Sequence, residues 1–179
     1  MGCRQGAGGR LGCIGMGRVG RAFAEKARGC GMEINYYNRK PLRPEYGMGG
    51  TYHDTIESVL EVSDFLSLHC PSTPETQDLM NADRFALLRD GAVMVNTARG
   101  ALVDEDALIE AISSGKLAAA GLDCFKVEPG GNPALSTHEN IFMLPHIGSA
   151  TRATRDAMGF RALDNLDAFF AGKTPQDAL

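Results

Sequence analysis

The sequence predicts an α/β fold in which one open, doubly wound parallel sheet is covered by helices on both faces. Three observations predict it. Short apolar runs alternate with helix-period segments from one end of the chain to the other. Several of those runs are apolar throughout, which suits strands buried on both faces rather than half-exposed ones. The first run, Leu11–Ile14, ends in a glycine-rich turn that opens a helix.

The elements follow in order. Arg18–Arg28 has Val19, Phe23 and Ala27 at spacings of four, a helical period. Glu33–Tyr37 and Asp64–Leu68 are the next strands, and the proline- and glycine-containing stretch Arg39–Gly50 is a surface loop. Asn81–Leu88 is a helix capped by Asn81, because a side-chain oxygen there satisfies a free first-turn amide. Ala92–Asn96 is a strand. Asp104–Ser113 is a helix whose acidic first turn complements the macrodipole. Ala118–Leu122 and Ile141–Leu144 complete the strands, and Thr151–Ala171 is a long closing helix with Leu163, Leu166 and Phe170 at helical spacing.

Composition bounds the function. The 179 residues fit one domain, 1–179, and 44% apolar content supports a full core. Residues 1–10, with glycines at 6, 8 and 9, read as a remnant linker or frayed terminus. A net charge of -4 offers no basic field for nucleic acid or an acidic membrane. No apolar run approaches the roughly 20 residues that span a bilayer, and the first residues have no signal-type apolar core. A soluble, cytoplasmic protein is expected. The five cysteines (3, 13, 30, 70 and 124) form no Cys-x-x-Cys pair and the four histidines are dispersed, so free thiols and no metal site are expected.

Gly15-Met16-Gly17-Arg18-Val19-Gly20 matches the dinucleotide fingerprint of a Rossmann fold. Gly15 makes the tight turn, Gly17 admits a pyrophosphate, and Gly20 lets the helix pack closely on the strand. The phosphates then meet the helix N-terminus beside Arg18 and Val19, where free amides favour an anion. Roughly 20 residues past the fingerprint, NAD enzymes usually carry an Asp or Glu that reads the ribose 2′-hydroxyl. This chain has Asn38-Arg39-Lys40 there. A carboxylate would repel a 2′-phosphate, whereas Arg39 can bind it bidentately and Lys40 adds charge. NADP is the expected cofactor, with NAD as the alternative. The competing reading of Arg39 and Lys40 is a solvated basic turn.

Three polar residues lie just past strands: Arg99 in Asn96–Gly100, Glu128 in Asp123–Pro129, and His146 in Leu144–Ser149. Ligands of open parallel sheets bind outside the carboxyl ends of strands, so all three are expected at the edge that carries the glycine turn. Together they supply what reduction of a 2-oxoacid needs. A histidine exchanges a proton near neutral pH, a nearby carboxylate favours its charged form, and an arginine holds a carboxylate through paired hydrogen bonds. Each residue alone is more simply a structural histidine, a solvated arginine or a loop glutamate.

The chain resembles the D-isomer-specific 2-hydroxyacid dehydrogenases, and the glyoxylate and hydroxypyruvate reductase branch in particular. The segments that carry the resemblance are Leu11–Gly20, Leu68–Thr76, Val95–Gly100, Gly121–Asp123, Glu128–Pro129 and Pro145–Thr151. It implies hydride transfer between a nicotinamide cofactor and a small 2-oxoacid. It implies Arg99 as substrate anchor, His146 as proton donor and acceptor, and Glu128 as its partner. Asp123 would contact the nicotinamide amide, with Thr97, Ala98 and Gly148 around that end, and Cys70, Pro71 and Thr76 would line the adenosine side.

One departure is large. Met1 lies only 14 residues before Gly15, whereas family members carry most of a separate substrate domain ahead of this point. The expectation is therefore a single nucleotide-binding domain, lacking the substrate domain and much of the usual homodimer contact, with weak or no turnover as this short chain. A non-catalytic dinucleotide-binding regulatory module and a phosphoglycerate dehydrogenase-like fragment are the alternatives.

Overall fold

The computed structural model describes residues 5–47 and 49–178. They fall into two compact units, one ending at Pro145 and one beginning at His146. The first unit is built on seven strands: β1 (Arg10–Ile14), β2 (Glu33–Tyr37), β3 (Thr51–His53), β4 (Phe65–Leu68), β5 (Ala92–Asn96), β6 (Leu117–Leu122) and β7 (Ile141–Met143). Every pairing is parallel, in the order β3-β2-β1-β4-β5-β6-β7. The chain winds outward from β1 in one direction and returns through β4 in the other, so β1 and β4 flank the topological switch point. Four helices cross between strands: α1 (Arg18–Gly29), α2 (Ile56–Val62), α3 (Ala82–Leu87) and α4 (Glu105–Ser113).

The period of two along β1 divides the core. Leu11 and Cys13 join Met16, Ala24, Ala27, Ile34 and Tyr36 in one cluster, whereas Ile14 joins the larger cluster that includes Val59, Leu60, Leu66, Leu68 and Met94. Each fully buried leucine contributes roughly 1.5–3 kcal/mol. Gly12 shares the Ile14 face, and its position explains an apparent weakness in a central strand. A Cβ there would stand 2.0 Å from Ser63 Oγ, which donates to Val59 O at 2.6 Å. The strand can approach the end of α2 only because residue 12 has no side chain.

The caps are local. Asn81 Oδ1 accepts from Arg84 N at 3.1 Å, Thr55 Oγ1 from Ser58 N at 3.1 Å, and Asp104 Oδ1 from Asp106 N and Ala107 N. The expected loop after β2 contains a short 3-10 turn, Pro44–Tyr46, whose Tyr46 ring lies under the Arg21 guanidinium, 4.7 Å from its centroid. Asp64 precedes β4 rather than opening it, and accepts from Arg10 N (3.0 Å), Arg10 Nε (3.2 Å) and Arg89 Nε (3.1 Å). The glycine-rich opening is tied down by hydrogen bonds from Gly8 N to Gly31 O and from Gly9 N to Gly6 O, both 2.9 Å; residues 1–4 lie outside the described set.

Two elements were not anticipated from the sequence, β3 and α2. β3 has three residues at the sheet edge, too few for a period to show. α2 is a seven-residue helix rich in β-branched residues, whose readable signals are the Thr55 cap and the Ile56, Val59, Leu60 spacing.

The second unit consists of the segment from His146, then α5 (Arg152–Phe170) and a short tail. Thr151 caps the helix through Thr154 N at 3.2 Å. Arg161 grips the tail carboxylate of Asp177 with Nε at 2.6 Å and Nη2 at 2.9 Å. The expected long helix is present, but it buries none of its side chains, because its own unit has no second element to cover Leu163, Leu166 and Phe170.

Replacing Gly12 with Ala is expected to lower stability by about 1–3 kcal/mol through overpacking. The loss should be largely recovered in the Gly12→Ala/Ser63→Ala double variant, read by denaturant unfolding. Unchanged stability of the single variant would contradict the packing account.

Candidate functional site

The glycine turn shows which of its residues the protein itself requires. Gly15 has φ 98°, and a Cβ on it would lie 2.6 Å from Cys70 N and 2.7 Å from the His69 carbonyl carbon. A Cβ on Gly20 would lie 2.2 Å from Gly15 O. Both glycines therefore serve the approach of β1, α1 and the end of β4. Gly17 is different: a Cβ there would meet nothing within 4 Å. It sits at the N-cap of α1 with no side-chain cap, so open space lies before uncapped first-turn amides. Arg18 is exposed, and Val19 is 66% exposed. A glycine that the protein does not need, at a bare helix N-terminus, fits close approach of a phosphate.

The end of β2 is fastened to this turn. Met16 N donates to Asn38 Oδ1 at 2.9 Å, Gly15 N to Tyr37 O at 3.0 Å, and Tyr52 Oη to Asn38 O at 3.4 Å. A backbone N–H can only donate, so the Asn38 oxygen faces the turn and its amide nitrogen, a donor, has no hydrogen-bond partner among the described residues. Arg39 and Lys40 are exposed beside it. Glu75, in the turn after β4, has its carboxyl lowered first by the Thr73 hydroxyl and its own amide, and also by the charge of Arg39. The charge of Arg39 after β2 is therefore felt in the turn after β4.

That second turn is self-contained. Thr76 Oγ1 accepts from Thr73 N and donates to Pro71 O, both at 2.8 Å, so this expected ligand residue also braces the turn. Burial raises the Cys70 thiol, which makes it wall rather than nucleophile. His69, not singled out in the sequence, stacks 5.3 Å from the Phe23 ring, with Nε2 3.0 Å from Ser67 Oγ. Burial pushes its imidazole down to about 4.

Past β5, fully buried Asn96 organises the segment that holds Thr97, Ala98 and Arg99. Its Nδ2 donates to Arg99 O at 2.9 Å and its Oδ1 accepts from Ala98 N at 3.0 Å. Its carbonyl accepts from Asp123 N at 3.0 Å and lies 3.6 Å from Cys124 Sγ, which ties the end of β6 to the same point. A Cβ on Gly100 would fall 1.9 Å from the Phe125 carbonyl carbon, so the arginine turn and the loop after β6 are in backbone contact. Arg99 is exposed, with Nη1 on Ala98 O at 2.6 Å. Glu128 Oε1 accepts from Phe125 N at 2.7 Å, and Asp123 is buried. The Cys124 thiol reports their assembly. It is pushed up to about 11, by burial first, then by the charges of Glu128 and Asp123, with Arg99 acting in the opposite sense.

The first unit thus brings the glycine turn, Asn38, Arg39, Cys70, Pro71, Arg99, Asp123 and the Glu128 loop to the carboxyl ends of β1, β2, β4, β5 and β6. His146 and Gly148 belong to the second unit. His146 is exposed and takes a left-handed backbone, φ 54°, the kind of conformation that clusters at functional sites. Sequence reasoning missed Asn96 and His69. Asn96 had a signal in its position, a polar residue ending an apolar strand, and His69 had none beyond following one.

Known proteins resemble this chain in sequence and in fold. Residues 2–148 match the family model for the D-isomer specific 2-hydroxyacid dehydrogenase, NAD binding domain. The chain is 44% identical over 167 residues to a glyoxylate reductase of Thermococcus litoralis, covering 92% of this chain and 50% of the relative. It is 42% identical over 171 residues to a glycerate dehydrogenase of Hyphomicrobium methylovorum, covering 94% and 53%. It superposes with TM-score 0.86, at 40% identity, on an NADPH-dependent glyoxylate/hydroxypyruvate reductase from Sinorhizobium meliloti in complex with NADP and malonate, covering 91% of this chain and 50% of that one. The chain spans about half the length of the relatives it matches.

Asn96→Asp keeps the acceptor for Ala98 N–H but sets an acceptor against Arg99 O, and is expected to cost about 2–3 kcal/mol in a urea titration. Wild-type stability would contradict the organising role. His69 makes stability pH-dependent. Its folded value lies below the unfolded one, so its contribution is full above about pH 6.5 and is lost as pH falls toward about 4. Melting temperature should fall less between pH 7 and 4.5 in His69→Gln than in the parent; equal slopes would contradict this.

Proposed function

We propose that this chain, which belongs to the D-isomer specific 2-hydroxyacid dehydrogenase family, is the dinucleotide-binding part of an NADPH-linked reductase of small 2-oxoacids such as glyoxylate or hydroxypyruvate. The observation that carries the reading is the set of contacts by which Asn96 and Gly100 join the Arg99 turn to Asp123 and to the loop of Glu128, on the sheet edge that also carries the glycine turn. Membership establishes a nicotinamide dinucleotide as the ligand class. The residues fit it. Gly17 leaves room at an uncapped helix N-terminus, with Arg18 and Val19 beside it and Gly15 and Gly20 shaping the turn.

The 2′-phosphorylated form is favoured on charge and on hydrogen-bond polarity. Arg39 and Lys40 are exposed cations at the ribose end of β2. Asn38, its oxygen held by Met16 N–H, has a donor left and no negative charge. A 2′-phosphate accepts from all three, whereas an Asp in place of Asn38 would repel it. The S. meliloti relative, described as NADPH-dependent, supports this choice. Cys70 and Pro71 form the wall on this side.

When bound, the reduced nicotinamide supplies the hydride that the keto carbon accepts. Asp123 would accept from the nicotinamide amide, with Thr97 and Ala98 lining that end. Arg99 holds the substrate carboxylate by paired hydrogen bonds and polarises the adjacent carbonyl. His146 is assigned the proton on residue type: an imidazole can give it to the keto oxygen and take it back in the reverse direction.

Calorimetric titration of the chain should show tighter binding of NADPH than of NADH. Arg39→Ala should weaken NADPH by roughly 1.5–3 kcal/mol, the scale of a charge-assisted hydrogen bond, with little change for NADH. Equal affinities, or tighter NADH, would overturn the preference. Glyoxylate-dependent oxidation of NADPH should be weak or absent with this chain alone, and any that is measured should be abolished by His146→Gln; turnover that survives in His146→Gln would contradict the assignment of the proton transfer.

A further inference from the structure

The loop that carries Glu128 is held at its middle by residues with no part in the reading so far. Lys126 lies two residues before Glu128 and takes two acidic partners from two other segments. Its backbone N–H donates to Glu105 Oε1 at 2.9 Å, and Glu105 is a buried residue in the first turn of α4. Its Nζ pairs with Asp78 Oδ1 at 2.6 Å. Asp78 has a left-handed backbone, φ 48°, and its N–H donates to Ala101 O at 2.9 Å, two residues past Arg99. The same Phe125–Lys126 peptide abuts Gly100, where a Cβ would lie 2.1 Å from Phe125 O and 2.5 Å from Lys126 N. One peptide therefore touches the Arg99 turn, the start of α4 and, through the ammonium, the segment after the β4 turn.

The remaining link runs inward. Glu128 Oε1 accepts from Phe125 N, the amide on the other side of the Phe125 residue, at 2.7 Å. A shift of the 125–126 peptide moves the donor that orients the Glu128 carboxylate and moves the backbone against which Gly100 rests. The ion pair adds a hold on the same residue beyond the Glu105 hydrogen bond and the Gly100 contact. Asp78 Oδ1 is shielded from solvent, and the ammonium of Lys126 is the charge that compensates it.

We propose that Lys126, bridging Asp78 and Glu105, is a positioning residue that sets the Glu128 carboxylate and the Arg99 turn in register with each other. The proposal rests on the reading of Glu128 and Arg99 as site residues. Lys126 touches no reacting atom; it acts through the Phe125 amide. Arginine can keep both the charge and the reach, whereas methionine keeps the aliphatic stem alone.

The test uses the full chain, with amide NMR and hydrogen exchange at pH 7. Glu128→Ala defines where the Phe125 amide resonates without its carboxylate acceptor. In Lys126→Met the Phe125 resonance should move toward that position, with the Gly100 resonance shifted as well, and exchange across 124–128 should quicken by about two- to fivefold, the scale of one partly exposed ion pair. Lys126→Arg should keep the parent positions, a rescue that mere filling of space would not require. Asp78→Asn, which breaks the pair from the other side and leaves Lys126 in place, should move the same two resonances, and it carries the test if Lys126→Met does not fold. Parent positions for Phe125 and Gly100 in Lys126→Met, or in Asp78→Asn, would overturn the proposal. Failure of the functional reading would show separately, as loss of dinucleotide binding by the parent chain, which these resonances do not measure.

Discussion

The close approach of β1 to the end of β4 at Gly15 is the constraint on which the rest of the first unit depends. The backbone leaves β1 at φ 98° and passes so near His69 and Cys70 that no side chain fits. That contact places the start of α1 over the switch point of the sheet, where the flanking strands diverge. Gly20 then lets α1 descend onto Gly15 O, and Met16 N–H is presented to Asn38. The glycine turn and the end of β2 are thereby one rigid construction. On the proposed reading, a change that loosens the turn reaches the choice of cofactor, although it touches neither Arg39 nor Lys40.

A second consequence of parallel strands is that their carboxyl ends release polar backbone groups at one edge. The chain satisfies these groups with side chains from the sheet itself. Asn96 is the chief instance: buried at the end of β5, it engages Ala98, Arg99, Asp123 and Cys124 through its amide and its carbonyl. The groups held there carry charge of both signs within reach of a thiol that burial renders inert. Rigidity of this kind suits chemistry that depends on holding reactants in line.

Much of this was legible in the sequence, and for stated reasons. Strands β1, β5 and β6 declare themselves as short, largely apolar runs, and the Asn81 cap because a helix start needs a side-chain acceptor; Asp104 reads in the sequence as an acidic first-turn residue, and the structure makes it the cap of α4. The glycine turn was legible because three glycines at that spacing have few other uses. β3 and α2 were not, since three residues show no period and β-branched residues mask a short helix. Within the candidate site, residue type and placement after strands singled out Arg99 and Glu128 but gave no sign of the groups that brace them. That Asn38 braces the turn, that Thr76 closes its own turn and that Lys126 reaches Asp78 are facts of tertiary contact between segments far apart in the chain. The apolar spacing predicted the helix α5, and among the described residues its own unit supplies nothing to bury Leu163, Leu166 and Phe170 against.

Gly17 separates what the fold needs from what a ligand needs. Its backbone, φ -72° and ψ -160°, suits any residue, and nothing in the protein stands within 4 Å of the place a Cβ would take. The most direct measurement is therefore a paired one on Gly17→Ala: thermal unfolding, and calorimetric titration with NADPH. The account predicts a melting temperature close to the parent's and an affinity at least about tenfold weaker, or 1.4 kcal/mol. Parent-like affinity in Gly17→Ala would contradict it, because the pyrophosphate would then not lie against this turn.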